Sequence, residues 1–293
     1  MSDSLLAGKG AVVVGGSRGV GRAVSELIAK LGAGVVVNGR DASAVTDAVS
    51  AITEAGYAGI GFAGSPTDEA TADALVRTCL DSYGRIDILI NCAGIAEPPD
   101  NRSILSISTA DFDEVLASHL GTAFHTCRAA APRMVAQGSG AIVNTSSFAF
   151  LGDYGGTGYP AGKGAVNGLT MAIAAELAEH GVRANVVCPG AKTRLSTGSD
   201  YEEQIRVLNT RGLLDDAAAQ FALDVAPPEY VASLYAYLVS DLAAEITGQI
   251  LIGAGGFVGR FDKPTPALLG FRDHRSSPPW SGPELHTMIA GRS

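Results

Sequence analysis

No run of about eighteen apolar residues occurs in this chain, so the sequence predicts no membrane-spanning helix. The first ten residues lack a basic stretch followed by an apolar one, which argues against a secretory signal. Cysteine is scarce. The four present, Cys79, Cys92, Cys127 and Cys188, are far apart and form no C-x-x-C pair. That excludes a disulfide framework and a zinc site, so no metal is expected, and it fits the reduced thiols of a cytoplasmic protein. Basic charge is in deficit: 21 Lys and Arg stand against 30 Asp and Glu, a net −9. Nucleic acid and anionic membrane are therefore poor partners. There is one tryptophan. What remains is a chain of 293 residues, 46% hydrophobic, long enough for one large core.

Glycine is plentiful, and its placement carries information. A β-branched run over 10–15 reads as a buried strand. Gly15, Ser17, Arg18, Gly19, Val20 and Gly21 follow at once, and an amphipathic helix pattern follows them. Strand, glycine loop and helix form the arrangement that cradles a phosphate on backbone N–H groups. Residues 59–64 match G-x-G-x-x-G literally, but they lie inside a predicted third strand, 57–63, with no helix opening at their last glycine. They are read as strand.

The second strand, 34–38, ends at Gly39 and Arg40. In a dinucleotide fold a carboxylate here would bind the 2′-hydroxyl of NAD, whereas arginine suits the 2′-phosphate of NADP. Gly39 stands at the carboxylate position, with Arg40 next to it and Arg18 in the glycine loop. NADP(H) is favoured and NAD(H) stays open. Asp41 is read as the N-cap of the next helix, 42–55. Ser65 and Pro66 follow the third strand and lead, through Asp68, into a helix running to 82. A fourth strand, 86–91, delivers Asn91, Ala93 and Gly94.

A long helical pattern, 109–137, starts at Thr109 as N-cap and carries His119; a lone helical histidine is usually structural. The fifth strand, 141–145, delivers Ser146 and Ser147. The helix after it presents Tyr159-x-x-x-Lys163 and continues to about 180. Positions i and i+4 share a helix face, so a phenol and an ammonium lie side by side near a helix N-terminus. Cation and helix end both favour phenolate, and the sequence predicts a tyrosine pKa below its usual value of about 10. Such a pair can move a proton at an alcohol or ketone oxygen. A sixth strand, 183–188, leads to Pro189, Gly190 and Thr193. Short helices over 195–226 form a candidate lid. A further helix, 227–240, precedes a seventh strand, 247–252. The tail, 260–293, is apolar enough to pack on the body or to reach a neighbouring subunit.

Alternating strands and helices predict an α/β fold: one Rossmann-like, doubly wound, parallel sheet of seven strands with helices on both faces. The catalytic domain is expected over 1–259, with a C-terminal extension over 260–293. Residues 6–258 resemble the short-chain dehydrogenase/reductase family, with some likeness to its 3-hydroxyacyl-CoA dehydrogenase and 3-oxoacyl reductase members. The matching pieces are Gly15/Gly19/Gly21, the 91–94 turn, the serine strand end, Tyr159-x-x-x-Lys163 and the 185–190 strand. The resemblance implies Tyr159 as acid/base, Lys163 as holder of the nicotinamide ribose, and a serine as oxygen donor. It implies cofactor contacts at Asn91, Ala93, Gly94, Pro189, Gly190 and Thr193, and a homodimer or homotetramer.

Three positions depart from the family pattern. Val14 replaces a threonine, Ser65 an acidic residue, and His119 the helix-borne asparagine, which makes His119 a further catalytic candidate. Counting from the strand selects Ser147, and counting back from the tyrosine selects Ser146. Register is harder to slip than loop length, which favours Ser147. The leading function is an NADP(H)-dependent oxidoreductase acting on a medium or bulky, largely apolar ketone or secondary alcohol. A lyase or epimerase on the same fold, and a non-catalytic nucleotide-binding protein, are the alternatives.

Overall fold

The computed structural model describes residues 4–97, 102–154, 156–194 and 196–290. Gly155 before the expected catalytic tyrosine, Leu195 at the head of the expected lid and 291–293 of the expected extension lie outside the described residues. Seven strands run parallel: β1 (Gly10–Val14), β2 (Gly34–Gly39), β3 (Gly59–Ala63), β4 (Ile88–Asn91), β5 (Gly140–Thr145), β6 (Val182–Gly190) and β7 (Ile250–Ala254). Their order is β3-β2-β1-β4-β5-β6-β7. The order reverses between β1 and β4, where a crevice opens at the carboxyl ends of the strands.

An eighth strand was not expected. β8 (Phe257–Phe261) turns back antiparallel along β7, with Ile250 opposite Phe261 and Ala254 opposite Phe257. Gly255 and Gly256 make the two-residue hairpin. The expected domain boundary at 259 falls inside this strand, and the first compact unit ends at Phe261. Residues 59–64 lie in β3 and its end, as read from the sequence, with Gly61 paired to Val37.

The central strands are β-branched and wholly buried. Period-two alternation splits β1 cleanly. Ala11 and Val13 join the layer of α1 (Gly19–Lys30), α2 (Ala42–Glu54) and α9 (Pro228–Val239). Val12 and Val14 join the layer of α3 (Glu69–Tyr83), α5 (Thr122–Gln137) and α6 (Gly158–Leu177). Each such valine contributes about 1.5–3 kcal/mol. Val14, where the family pattern has threonine, is one of these wholly buried side chains.

The helix expected over 109–137 is broken. α4 (Thr109–Leu116) gives way to a π turn at Ala117–Gly121 before α5 resumes. Its N-cap is Ser108, whose Oγ accepts from Asp111 N at 3.1 Å, rather than Thr109. The lid stretch holds α7 (Ser199–Thr210) and α8 (Asp216–Leu223), which share a small core of Ile205, Leu208, Leu214, Ala219 and Ala222.

The second unit, from Asp262, has its own internal order. The Arg272 guanidinium stacks 3.8 Å from the Trp280 ring and donates to the Pro278 and Pro279 carbonyls. Ser281 and Glu284 form a reciprocal capping box at the start of α10 (Gly282–Ala290).

Candidate active site

The glycine loop after β1 packs against the turn after β4. Gly15 has φ +72°, and a Cβ there would lie 2.7 Å from Ala93 N. Val20 and Gly21 are buried in the first turn of α1, and a Cβ on Gly19 would lie 3.3 Å from the Thr193 methyl, so the loop faces the segment after β6. The Arg18 side chain does not cap α1, and no acidic residue stands in its first turn. The helix end thus has neither a side-chain cap from Arg18 nor a first-turn acid of its own, as a bound anion requires.

At the end of β2, Asp41 caps α2, accepting from Ser43 N at 3.0 Å and Ala44 N at 3.3 Å. Its other oxygen takes Arg18, so that arginine is already paired, while Arg40 is exposed. A Cβ on Gly39 would meet Ser17 Oγ at 2.4 Å. Ser65 and Pro66 follow β3 beside this corner, since Gly39 pairs with Ala63.

The Asn91 side chain turns inward. Its Nδ2 donates to Asn144 Oδ1 at 2.8 Å, and its Oδ1 accepts from Thr126 at 2.9 Å. It ties β4 to β5 and α5, and its side chain is therefore not offered to a cofactor. Pro189 and Gly190 end β6, paired with Gly253 and Ala254.

The two serines part company, as successive residues on an extended chain must. Ser147 accepts from Ala149 N at 3.2 Å and stands close enough to the Tyr159 phenol to favour its anion. Ser146 is buried and donates to the Lys163 carbonyl at 3.1 Å. Lys163 Nζ donates to the Thr145 carbonyl at 3.0 Å and lies 5.7 Å from the centre of the Tyr159 ring. Burial pulls the Lys163 pKa down to about 8. Ser147, Tyr159 and Lys163 thus meet at the carboxyl end of β5.

The expected acidification of Tyr159 does not hold. Enclosure by protein raises its pKa above the ordinary value, and the nearby Ser147 hydroxyl only partly opposes this; Cys188 and Glu97 raise it further. Burial is the largest cause of the reversal. The Lys163 ammonium donates to the Thr145 carbonyl and lies over the ring. The positive end of α6 is already answered by a carboxylate, Glu97.

Glu97 was not legible as a site residue. It stands three positions past Gly94 and is 9% exposed. Its Oε1 accepts the N–H groups of Thr157, at 3.0 Å, and of Gly158. No local pattern announces a cap that comes from 60 residues away. The signal available was a lone carboxylate in the loop after β4, together with glycines at 156 and 158.

His119 is 3% exposed, and its ring meets the Tyr159 ring edge-on at 5.0 Å. Its Nε2 lies 2.9 Å from the Ile95 carbonyl. A carbonyl only accepts, so Nε2 carries the proton and Nδ1 is bare. Nδ1 has no partner among the described residues. Burial, with Lys163 nearby, drops the imidazole pKa to about 2. The ring is neutral at physiological pH and cannot serve as a cationic acid.

Above the site, Gln204 of α7 donates to the Tyr154 carbonyl at 2.9 Å and takes Arg102. Phe148, next to Ser147, packs edge-on against Phe221 of α8 and Phe261 of β8. Helices α7 and α8 therefore hold the serine loop through apolar and backbone contacts. None of the described His, Cys, Asp and Glu side chains gather as a metal site, and no described helix is long and apolar enough to cross a membrane.

Residues 9–204 match the family model described as short chain dehydrogenase. The hydroxyacyl-CoA dehydrogenase ChsB1 of Mycobacterium tuberculosis is 37% identical, over 85% of this chain and 78% of its own. The 3alpha-hydroxysteroid dehydrogenase of Mediterraneibacter gnavus is 34% identical, over 84% and 96%. A crystal structure of a short chain dehydrogenase from Mycobacterium avium superposes with a TM-score of 0.80 at 28% identity, covering 98% of this chain and 95% of that one.

Proposed function

Because the chain belongs to the short-chain dehydrogenase family, we propose that it interconverts a ketone and a secondary alcohol on a medium or bulky, largely apolar substrate, with NADP(H) and with Tyr159 as acid/base. That it is an oxidoreductase acting on CH–OH and C=O groups, using NAD(P)(H), follows from the family and its relatives. The observation that carries the finer reading is the convergence of Ser147, Tyr159 and Lys163 at the strand end, with the Lys163 ammonium 5.7 Å from the centre of the Tyr159 ring and tied to the Thr145 carbonyl.

The crevice suits the nucleotide. The close approach of Gly15 to Ala93 and the uncapped first turn of α1 leave backbone N–H groups for a pyrophosphate. Ala93, Gly94, Pro189, Gly190 and Thr193 line its continuation toward Tyr159. When bound, the nicotinamide supplies the hydride chemistry. The protein supplies the proton and the geometry. Ser147 orients the substrate oxygen. The enclosed Tyr159 phenol holds its proton at neutral pH, so it is ready to donate to a ketone oxygen. This favours reduction as the working direction. Lys163 holds the ribose side and keeps a positive charge beside the oxygen.

Preference for NADP(H) rests on Gly39. Any side chain there, the ribose-binding carboxylate included, meets Ser17, and Arg40 is exposed beside it. The apolar core of α7 and α8 supports a largely apolar substrate, and the hydroxyacyl and hydroxysteroid names of the relatives agree with it. We place residues 195–226 as the lid. We also place the protein in the cytoplasm as a homodimer or homotetramer, supported by the open space around Gly164 and Gly168 on α6; light scattering after gel filtration tests the assembly.

The decisive experiment titrates the protein with NADPH and NADH by fluorescence. It then offers acetoacetyl-CoA, a 3-ketosteroid and an aryl ketone with the tighter nucleotide. NADPH should bind more tightly, and Arg40→Ala should lose about tenfold, the worth of one charge-assisted hydrogen bond. Tighter NADH binding overturns the cofactor assignment. Turnover retained by Tyr159→Phe overturns the role of Tyr159.

A further inference from the structure

We propose that Glu97 is a positioning residue for Tyr159: it caps the catalytic helix from the loop after β4 and keeps the phenol protonated. The inference rests on the reading of Tyr159 as acid/base. Its basis is geometric. The N-cap residue of α6, Thr157, makes no side-chain cap of its own. The orphan N–H groups of Thr157 and Gly158 go instead to one oxygen of Glu97, 60 and 61 residues away. The seat is shaped for that carboxylate. A Cβ on Gly156, at φ +84°, would lie 2.1 Å from Oε2, and one on Gly158 would lie 3.1 Å from Oε1. Only a chain with small residues at both positions admits the side chain.

Tyr159 is the next residue along the helix, so the carboxylate acts on it in two ways. It fixes the first turn, and with it the direction of the phenol. It also replaces the positive helix end with negative charge, which opposes phenolate. The other groups facing the phenol are few. Ser147 from the end of β5 favours the anion. Cys188 from β6 and Glu97 oppose it. His119 from the π turn is neutral. Lys163 lies over the ring, on its own helix. Tyr201 of α7 interacts with Tyr159 electrostatically, and its own pKa is raised to about 12. Among these, Glu97 is the group that both touches the helix end and carries charge. A loop at the nucleotide side of the crevice thereby adds to burial in raising the pKa of the residue on the substrate side.

The test uses the full chain, NADPH and whichever of the three ketones above is reduced fastest. The pH dependence of kcat/KM is compared for wild type, Glu97→Gln and Glu97→Asp. In wild type, reduction falls as pH rises through the Tyr159 titration. Glu97→Gln keeps a hydrogen-bond acceptor and loses the charge, so this limb should move about one pH unit lower. Glu97→Asp keeps the charge and shortens the reach, so its plateau should fall several-fold while the limb stays at the wild-type pH. A residue that merely helped the loop fold would lower the plateau in both variants and move neither limb.

A limb in Glu97→Gln that coincides with wild type overturns the proposal, as does an equal displacement in Glu97→Asp. Should Glu97→Gln fail to fold, the position of the Glu97→Asp limb decides alone. Tyr159→Phe separates the two levels. Retained turnover sinks the acid/base reading and this inference with it, while lost turnover with an unmoved Glu97→Gln limb sinks only the inference.

Discussion

Ser146 and Ser147 are neighbours with opposite duties. One is locked to the backbone of Lys163, the other stands beside the phenol and favours its anion. Ser147→Ala should therefore lower kcat by about 100-fold, the scale of one oxygen-orienting donor. Ser146→Ala leaves the Lys163 carbonyl without that donor and should cost about 1 kcal/mol of stability, with kcat changed only a few-fold. Activity assays and urea melts of the two variants separate these outcomes. His119 makes a prediction of a different kind. In the unfolded chain it gains a proton near pH 6.5, whereas in the fold it resists until about 2. Between those values the unfolded state binds more protons, so stability falls as pH falls through 6.5. From pH 7 to pH 5 this group alone should withdraw about 2 kcal/mol. His119→Phe should lose that much less over the same interval in urea titrations; an equal loss would refute the buried neutral ring.

Elements differ in how far their signals reach, and that decides which were readable. The glycine loop, the αL and N-cap punctuation and the β-branched strands are written in adjacent residues. They could be read without the fold. The Ser146/Ser147 choice was open to the same logic, because alternation along an extended chain is local. The π turn in the helix carrying His119 was not readable, since it depends on what packs against that helix. β8 was missed because only its pairing with β7 makes Phe257–Phe261 a strand; its side chains are mostly exposed and carry no core-facing alternation. Glu97 was missed for the same reason, its meaning lying 60 residues away. The Tyr159 acidity was misjudged because sequence shows the neighbours of a group but not its enclosure. The corner at the end of β2 offers a test of packing at this scale. Gly39→Asp, the change that would recruit NAD, runs into Ser17 Oγ at 2.4 Å and Val45 at 3.0 Å. It should cost about 1–3 kcal/mol and leave nucleotide preference unchanged. Ser17→Gly added to it should recover stability and bring NADH binding, as read by thermal melts and fluorescence titration.

At the scale of the whole molecule, the proposed lid helices α7 and α8 share a small core that Tyr154 of the serine loop also joins, and they meet that loop through Phe221 and Gln204. Backbone amides of 200–210 should therefore exchange with deuterium faster than those of 160–170 in the nucleotide-free protein; equal protection would contradict two separately stable parts. Behind this lies the crossed pair of bonds between Ser146 and the Lys163 carbonyl, and between Lys163 and the Thr145 carbonyl. Mechanically that pair is a clevis pin. It fastens the strand end and the helix into one stiff jaw, so that, on the proposed lid reading, opening and closing would be carried by the opposite jaw. A vice with one fixed jaw sets its gauge from that jaw, and substrates of different bulk would be accommodated by how far the lid travels, with the proton donor always at the same datum.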